Sequence, residues 1–241
     1  MFSLEDANYK FKPIRFNVDD ILDDNIKPPF PNKSFFWVIV GKPGSGKTSL
    51  MLNCLSNRKK HSRVYYKVFD KIIVVMPKNS RLSIKDNIFD DLPEDQLFEN
   101  FDDSVVNRVK DIRDEYTELN KKKKRNRNTL LILDDVTAYL KDNPKALIEL
   151  ATNRRHLKLS IILLVQFIRS VPRPVRFQVT HITFFKPSNE LDLDIIQQEY
   201  LNMKKEDFSN LSRFCFVDKH DSLTIDKDSE HYFKNLQKII M

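Results

Sequence analysis

The chain has 241 residues, 41% hydrophobic and 31% charged, which allows one sizeable core beneath a heavily charged surface. A formal net charge of +7 suits a polyanionic partner, nucleic acid first among them. Two cysteines without metal-ligand spacing, an acidic start and apolar runs of strand length argue against a disulfide scaffold, a zinc site, a secretory leader and a membrane span, so a soluble intracellular protein is expected.

Residues 1–33, with Pro28, Pro29 and Pro31, read as an N-terminal arm and linker. The unbroken apolar run 35–40 predicts a strand covered on both faces, as in a parallel sheet, and a helix is predicted over 48–55. A second strand, 71–76, stops at Pro77, and 78–102 is polar and irregular. Val105, Val109, Ile112, Tyr116 and Leu119 have nearly helical spacing and predict a helix over about 104–119. The basic run 121–127 follows. Salt-sensitive DNA contact, a nuclear-targeting tract and a solvated loop all fit it. A third strand, 129–133, ends in Asp134-Asp135, and a helix near 145–153 leads to a fourth strand, 159–165, which ends at Gln166. A fifth strand spans 179–185. In the tail, helical segments are expected near 191–200 and 229–240, with 214–217 and 222–225 forming a hairpin between them. Such alternation predicts an α/β fold, a mainly parallel sheet flanked by helices, with ligands at the carboxyl ends of the strands. The expected division is an arm (1–33), a core (34–187) and a short C-terminal α+β extension of the same domain (188–241).

Gly41-Lys42-Pro43-Gly44-Ser45-Gly46-Lys47-Thr48 matches the phosphate-binding pattern G-x-x-x-x-G-K-[ST] in full. Glycines let the backbone curl so that N–H groups point at phosphate oxygens, and the helix that follows adds its free N–H groups and dipole. Lys47 reaches the terminal phosphates and the Thr48 hydroxyl ligates Mg²⁺; Ser49 completes the nucleotide-binding set. The chain's three glycines, at 41, 44 and 46, all lie in this loop, between a buried strand and an apolar helix, and the ligand expected there is ATP with Mg²⁺. The fold is thus that of a P-loop NTPase of the RecA/ASCE type.

Magnesium needs hard oxygen ligands, and P-loop proteins supply a carboxylate at a strand end. Asp134 is assigned to the metal, through a water. Asp135 either orients and deprotonates the attacking water or caps the next helix. Gln166 either touches the terminal phosphate or is a surface amide beyond a strand. Asn153-Arg154-Arg155-His156 offers an arginine that a neighbouring subunit's site could use, or a basic helix end that complements the dipole. His156 reads as structural. Arg173 and Arg176, after Gln166, face nucleotide, DNA or solvent.

Taken in order, the glycine loop, Leu130-Leu131-Ile132-Leu133-Asp134-Asp135, Asn153-Arg154-Arg155-His156 and Ile161-Ile162-Leu163-Leu164-Val165-Gln166 resemble the FtsK/HerA superfamily of ring-forming DNA-translocating ATPases, and most of all its viral genome-packaging branch in poxviruses, other large DNA viruses and virophages. The resemblance covers 35 to about 185. It implies a Mg-ATP-driven motor that feeds double-stranded DNA into a preformed capsid. Lys47 and Thr48 would hold phosphates and metal, Asp134 and Asp135 form the acid pair, Gln166 act as the sensor, and Arg155 or Arg154 serve as the finger in trans. It also implies a homo-oligomeric ring, pentamer or hexamer, docking on a capsid vertex or membrane-associated virion proteins, in the host cytoplasm or the virion. Asp135 stands where cellular relatives carry Glu, and Arg154 stands where Gly is expected. Two other readings share the glycine loop: a small-molecule P-loop kinase, and an NTP-dependent scaffold that does not hydrolyse its nucleotide.

Overall fold

A computed structural model describes residues 21–59, 62–122, 125–142, 144–187, 189–201 and 203–240. Most of the expected N-terminal arm (1–20), together with Lys123 and Lys124 of the basic run, lies outside the described residues.

The chain runs β1 (Phe36–Val40), α1 (Lys47–Ser56), β2 (Lys71–Val75), α2 (Lys78–Leu82), β3 (Leu97–Phe98), α3 (Asp103–Lys122), β4 (Thr129–Asp134), α4 (Thr137–Asp142), α5 (Pro144–Asn153), β5 (Leu159–Val165), α6 (Arg173–Arg176) and β6 (His181–Phe185). Then come α7 (Glu190–Ile195), which runs on into a π-helical turn (Ile196–Leu201), α8 (Lys205–Cys215), and β7 (Ser222–Asp226), β8 (His231–Lys234) and β9 (Gln237–Lys238). These strands form one sheet in the order β3-β2-β4-β5-β1-β6-β7-β8-β9. Pairing from β3 through β6 is parallel, and from β6 to β9 it is antiparallel.

The unbroken apolar runs are explained by two cores. Along each strand, alternate side chains point to opposite faces. Phe36, Val38 and Val40 join Leu131, Leu133, Ile161 and Leu163 on the face covered by α3, α5 and α8. Trp37, Ile39, Leu130, Ile132, Ile162 and Leu164 fill the other face, against α1 and the aromatic cluster of Phe35, Tyr65, Phe69 and Phe89. With both faces dry, a polar residue in a central strand needs an internal partner. The Trp37 indole meets that need by donating to Thr183 Oγ1 at 2.9 Å, and Thr183 in turn bonds Thr224 at 2.9 Å.

Three expectations for the tail and the polar stretch are corrected. Residues 229–240 form β8 and β9 rather than a helix. The open antiparallel edge of β7 offers a ladder that local propensity does not see, and Tyr232 and Phe233 pair with Ile225 and Thr224. Residues 214–217 do not pair with 222–225. Phe208, Leu211 and Cys215 recur at helical spacing and are buried, so 205–215 is α8, and β7 takes β6 and β8 as partners. Residues 78–102, read as irregular, contain α2 and the edge strand β3.

Candidate active site

Parallel pairing brings the ends of β1, β4 and β5 to one edge of the sheet. β5 lies between the other two, with Val165 opposite Val40 and Leu164 opposite Asp134. The glycine loop leaves β1 at this edge, and the Gly41 N–H is tied to Val165 O at 3.0 Å. Two positions in the loop require glycine. A Cβ at Gly41 would stand 2.5 Å from Ser45 Oγ, and Gly46 holds φ 111° as the residue before α1. No acidic side chain occupies the first turn of α1, so its N–H groups and dipole face the cleft uncompensated.

The side chains follow from these placements. The Lys47 ammonium bonds Lys42 O at 3.3 Å, and burial lowers its pKa against the opposing pull of Asp134 and Asp135. The Thr48 hydroxyl donates to Asp134 Oδ2 at 3.1 Å. Burial raises the Asp134 carboxyl above the ordinary aspartate range, although the Thr48 bond and the Lys47 charge work the other way. Asp135 sits at φ 59°, a left-handed conformation that costs an L-residue with a Cβ about 1 kcal/mol. Here it turns the chain off β4 so that successive acids both line the cleft. Gln166 lines the same cleft from the end of β5.

The cleft holds about 410 Å³ and brings Pro43, Gly44, Lys47, Thr48, Asp134, Asp135 and Gln166 together. Ser49 lies one residue further along α1 and is exposed. Opposite the loop, the cleft is walled by Ser80, Ser83 and Ile84, from α2 and the residues after it. These three were not singled out from the sequence, and no motif there marks them. A second contact without a sequence signal comes from the tail: His220 Nδ1 lies 3.0 Å from the Ser45 carbonyl.

The arginines are not part of this cluster. They precede β5 and so sit at its amino end, roughly 20 Å from the cleft by the rise of a seven-residue strand. Arg154 is only 7% exposed. Its Nε donates to Ser34 O at 3.2 Å and its Nη1 to Ala151 O at 2.8 Å, so its guanidinium is engaged within its own chain rather than offered to a neighbour, as the sequence reading allowed. Arg155 and His156 are exposed at that end. Arg176 forms a two-point bond to Glu199 at 2.7 and 2.8 Å rather than facing ligand, and Arg173 is 3.8 Å from the same carboxylate. The basic run also lies at the amino end of the sheet, where Arg125 and Arg127 lean on Asp70 at 3.1 and 3.6 Å and Lys121 on Glu118 at 2.6 Å.

Among the described residues no helix is long and apolar enough to cross a membrane. The fold is shared with the genome packaging NTPase B204 of Sulfolobus turreted icosahedral virus 2, solved with ATPγS: 18% identity, TM-score 0.57, over 86% of this chain and 98% of that one. It is shared also with the EssC ATPases 2 and 3 of Geobacillus thermodenitrificans (14%, 0.51, over 85% of this chain and 40% of that one) and the pCW3 conjugation coupling protein TcpA with ATPγS (13%, 0.52, 86% and 60%). Comparison with curated protein sequences gives no match. The model of the Poxvirus A32 protein family matches residues 27–229; with this fold and a nucleotide-binding cleft, the chain belongs to the Poxvirus A32 protein family of viral genome-packaging ATPases.

Proposed function

We propose that this cleft hydrolyses Mg-ATP and that the chain is one subunit of a ring that uses the energy to translocate double-stranded DNA into a preformed capsid, in the host cytoplasm or the virion. The observation that carries the proposal is the meeting of the glycine loop, both acids and Gln166 in one cleft.

Mg²⁺ fits the donors. Thr48 and Asp134 present oxygen only, side by side, and among the described residues no group of three His, Cys, Asp or Glu competes as a metal cage. A magnesium site of this kind takes one or two protein oxygens and completes its shell with phosphates and water. Thr48 and Asp134 would hold the ion, which neutralises charge on the phosphates when bound. Lys47 and the loop N–H groups bind the phosphate oxygens. The Asp135 carboxylate accepts a hydrogen bond from the attacking water, orients it in line with the bond to be broken and takes its proton. The Gln166 amide steadies the same water or the terminal phosphate.

Positive charge against the transition state is then supplied by Arg155 of the next subunit. Because Arg155 lies at the amino end of β5, the two subunits meet head to tail, the amino end of one sheet against the carboxyl end of the next. Repeated around a closed axis, that heterologous contact makes a ring. Such fingers are worth about 10³–10⁵ in rate.

The test is phosphate release by the purified protein with and without double-stranded DNA, with particle size measured on the same sample. DNA-stimulated turnover by a ring, abolished in Lys47→Ala and Asp135→Asn, is expected. Full turnover in Asp135→Asn removes the assigned base, and full turnover by a monomer removes the finger.

A further inference from the structure

The triphosphate reading gives the glycine loop a direction. Asp134, Asp135 and Gln166 all lie on the β4–β5 side of β1, so the terminal phosphate points that way. A nucleotide whose phosphates follow the loop therefore leaves its nucleoside on the opposite side of β1, over β6 and β7. There the loop meets two residues. The Phe185 ring, at the end of β6, backs Gly46: a Cβ at Gly46 would be 3.3 Å from its Cε1. His220 stands at the loop's outer edge in the turn 217–221, with its Nδ1 3.0 Å from Ser45 O.

The tail invests several bonds in that turn. Asp221 accepts from the Val217 and Asp218 N–H groups at 3.0 and 2.9 Å and from Asn235 Nδ2 at 2.6 Å. Lys186 clamps the other side, donating from Nζ to Val217 O at 2.9 Å and from its backbone to Asp221 O at 3.2 Å. The imidazole is thus held at a set height beside the phosphate loop while its own surface remains exposed. Its tautomer follows from its partner. A carbonyl can only accept, so Nδ1 carries the hydrogen and the neutral ring offers Nε2 as an acceptor.

Resting on the triphosphate reading, we propose that His220 is the base-recognition residue of the site. Its imidazole meets the purine edge-on, and Nε2 accepts a hydrogen from an exocyclic amine. The ligand class is an adenine nucleotide. Guanine carries a carbonyl at the corresponding edge and would set one acceptor against another.

The test is calorimetric titration of the full chain, with Mg²⁺, using ATP, GTP and inorganic tripolyphosphate. The wild type is expected to bind ATP more tightly than GTP. His220→Ala should weaken ATP about fivefold, the scale of one hydrogen bond, and leave tripolyphosphate affinity unchanged. His220→Phe keeps a flat ring without the acceptor and should bind ATP and GTP alike. Equal losses of ATP and tripolyphosphate in His220→Ala would reduce the residue to a support for the loop and overturn the proposal. So would unchanged ATP binding in His220→Ala, or a preference for ATP that survives in His220→Phe. Absence of ATP binding by the wild type would instead overturn the triphosphate reading, and the base contact with it.

Discussion

Adjacent arginines at one helix end have been given different work by their surroundings. Arg154 is buried with its guanidinium on Ser34 O and Ala151 O, and burial, followed by the neighbouring Arg155 charge, lowers its pKa. Charged hydrogen bonds of this kind each contribute about 1.5–3 kcal/mol, and truncation also leaves two carbonyls unpaired. Arg154→Ala should therefore destabilise the fold by about 3 kcal/mol, lowering the melting midpoint by about 9 °C in a chain of this size. Arg155→Ala, at an exposed position, should lower that midpoint less than Arg154→Ala does and depress turnover in the ring. Thermal denaturation and phosphate release on the same two variants check the split, and an equal loss of stability in both would refute it. From the sequence these two residues are the same chemistry one position apart. What separates them is a carbonyl 120 positions away in the chain, which no local pattern announces. The glycines and acids stand out for the opposite reason: the glycines match a spaced local pattern, and the acids directly follow an unbroken apolar strand run, which other acidic pairs in the chain do not.

Among the elements, the parallel strands could be read directly, because covering both faces forces an unbroken apolar run. The tail could not. Its strands form on the free edge of β6, and the π-helical turn after α7 is fixed by contacts from other parts of the chain. One such contact is the pair between Arg176, just before β6, and Glu199 in the π-helical turn. Their side chains are 11% and 18% exposed, and the Arg176 hydrogen bonds hold the Glu199 carboxyl below its ordinary pKa, against the effect of burial. A carboxylate with a lowered pKa in the folded state stabilises the protein above its unfolded value, near 4.3, and loses that contribution as pH falls through the folded value. Glu199→Gln should thus cost about 2 kcal/mol at neutral pH. The deficit should shrink below the ordinary glutamate range and vanish once the wild-type carboxyl is protonated. Urea midpoints measured across that range test the sign; a deficit independent of pH would assign the loss to packing instead.

At the scale of the whole molecule, the +7 charge is not spread evenly in its effects. Arg125, Arg127 and Lys121 at the amino end are partly answered by Asp70 and Glu118, so the basic run carries less uncompensated charge than its composition suggests. The proposed motor should still bind double-stranded DNA mainly through phosphates. The logarithm of the affinity should fall steeply and linearly with the logarithm of salt concentration, with little dependence on base sequence. Fluorescence anisotropy across a salt series measures the slope, and a flat response would rule out phosphate contact as the source of binding.

β5 is bonded along both edges, to β1 on one side and β4 on the other, so it cannot slip without breaking two ladders at once. Gln166 follows it directly at one end, and the Arg154-Arg155 pair precedes it at the other. In the proposed head-to-tail ring this strand would be a fixed spacer: it holds the sensor of one subunit's own site and the arginine offered to the next at a separation that neither can change alone.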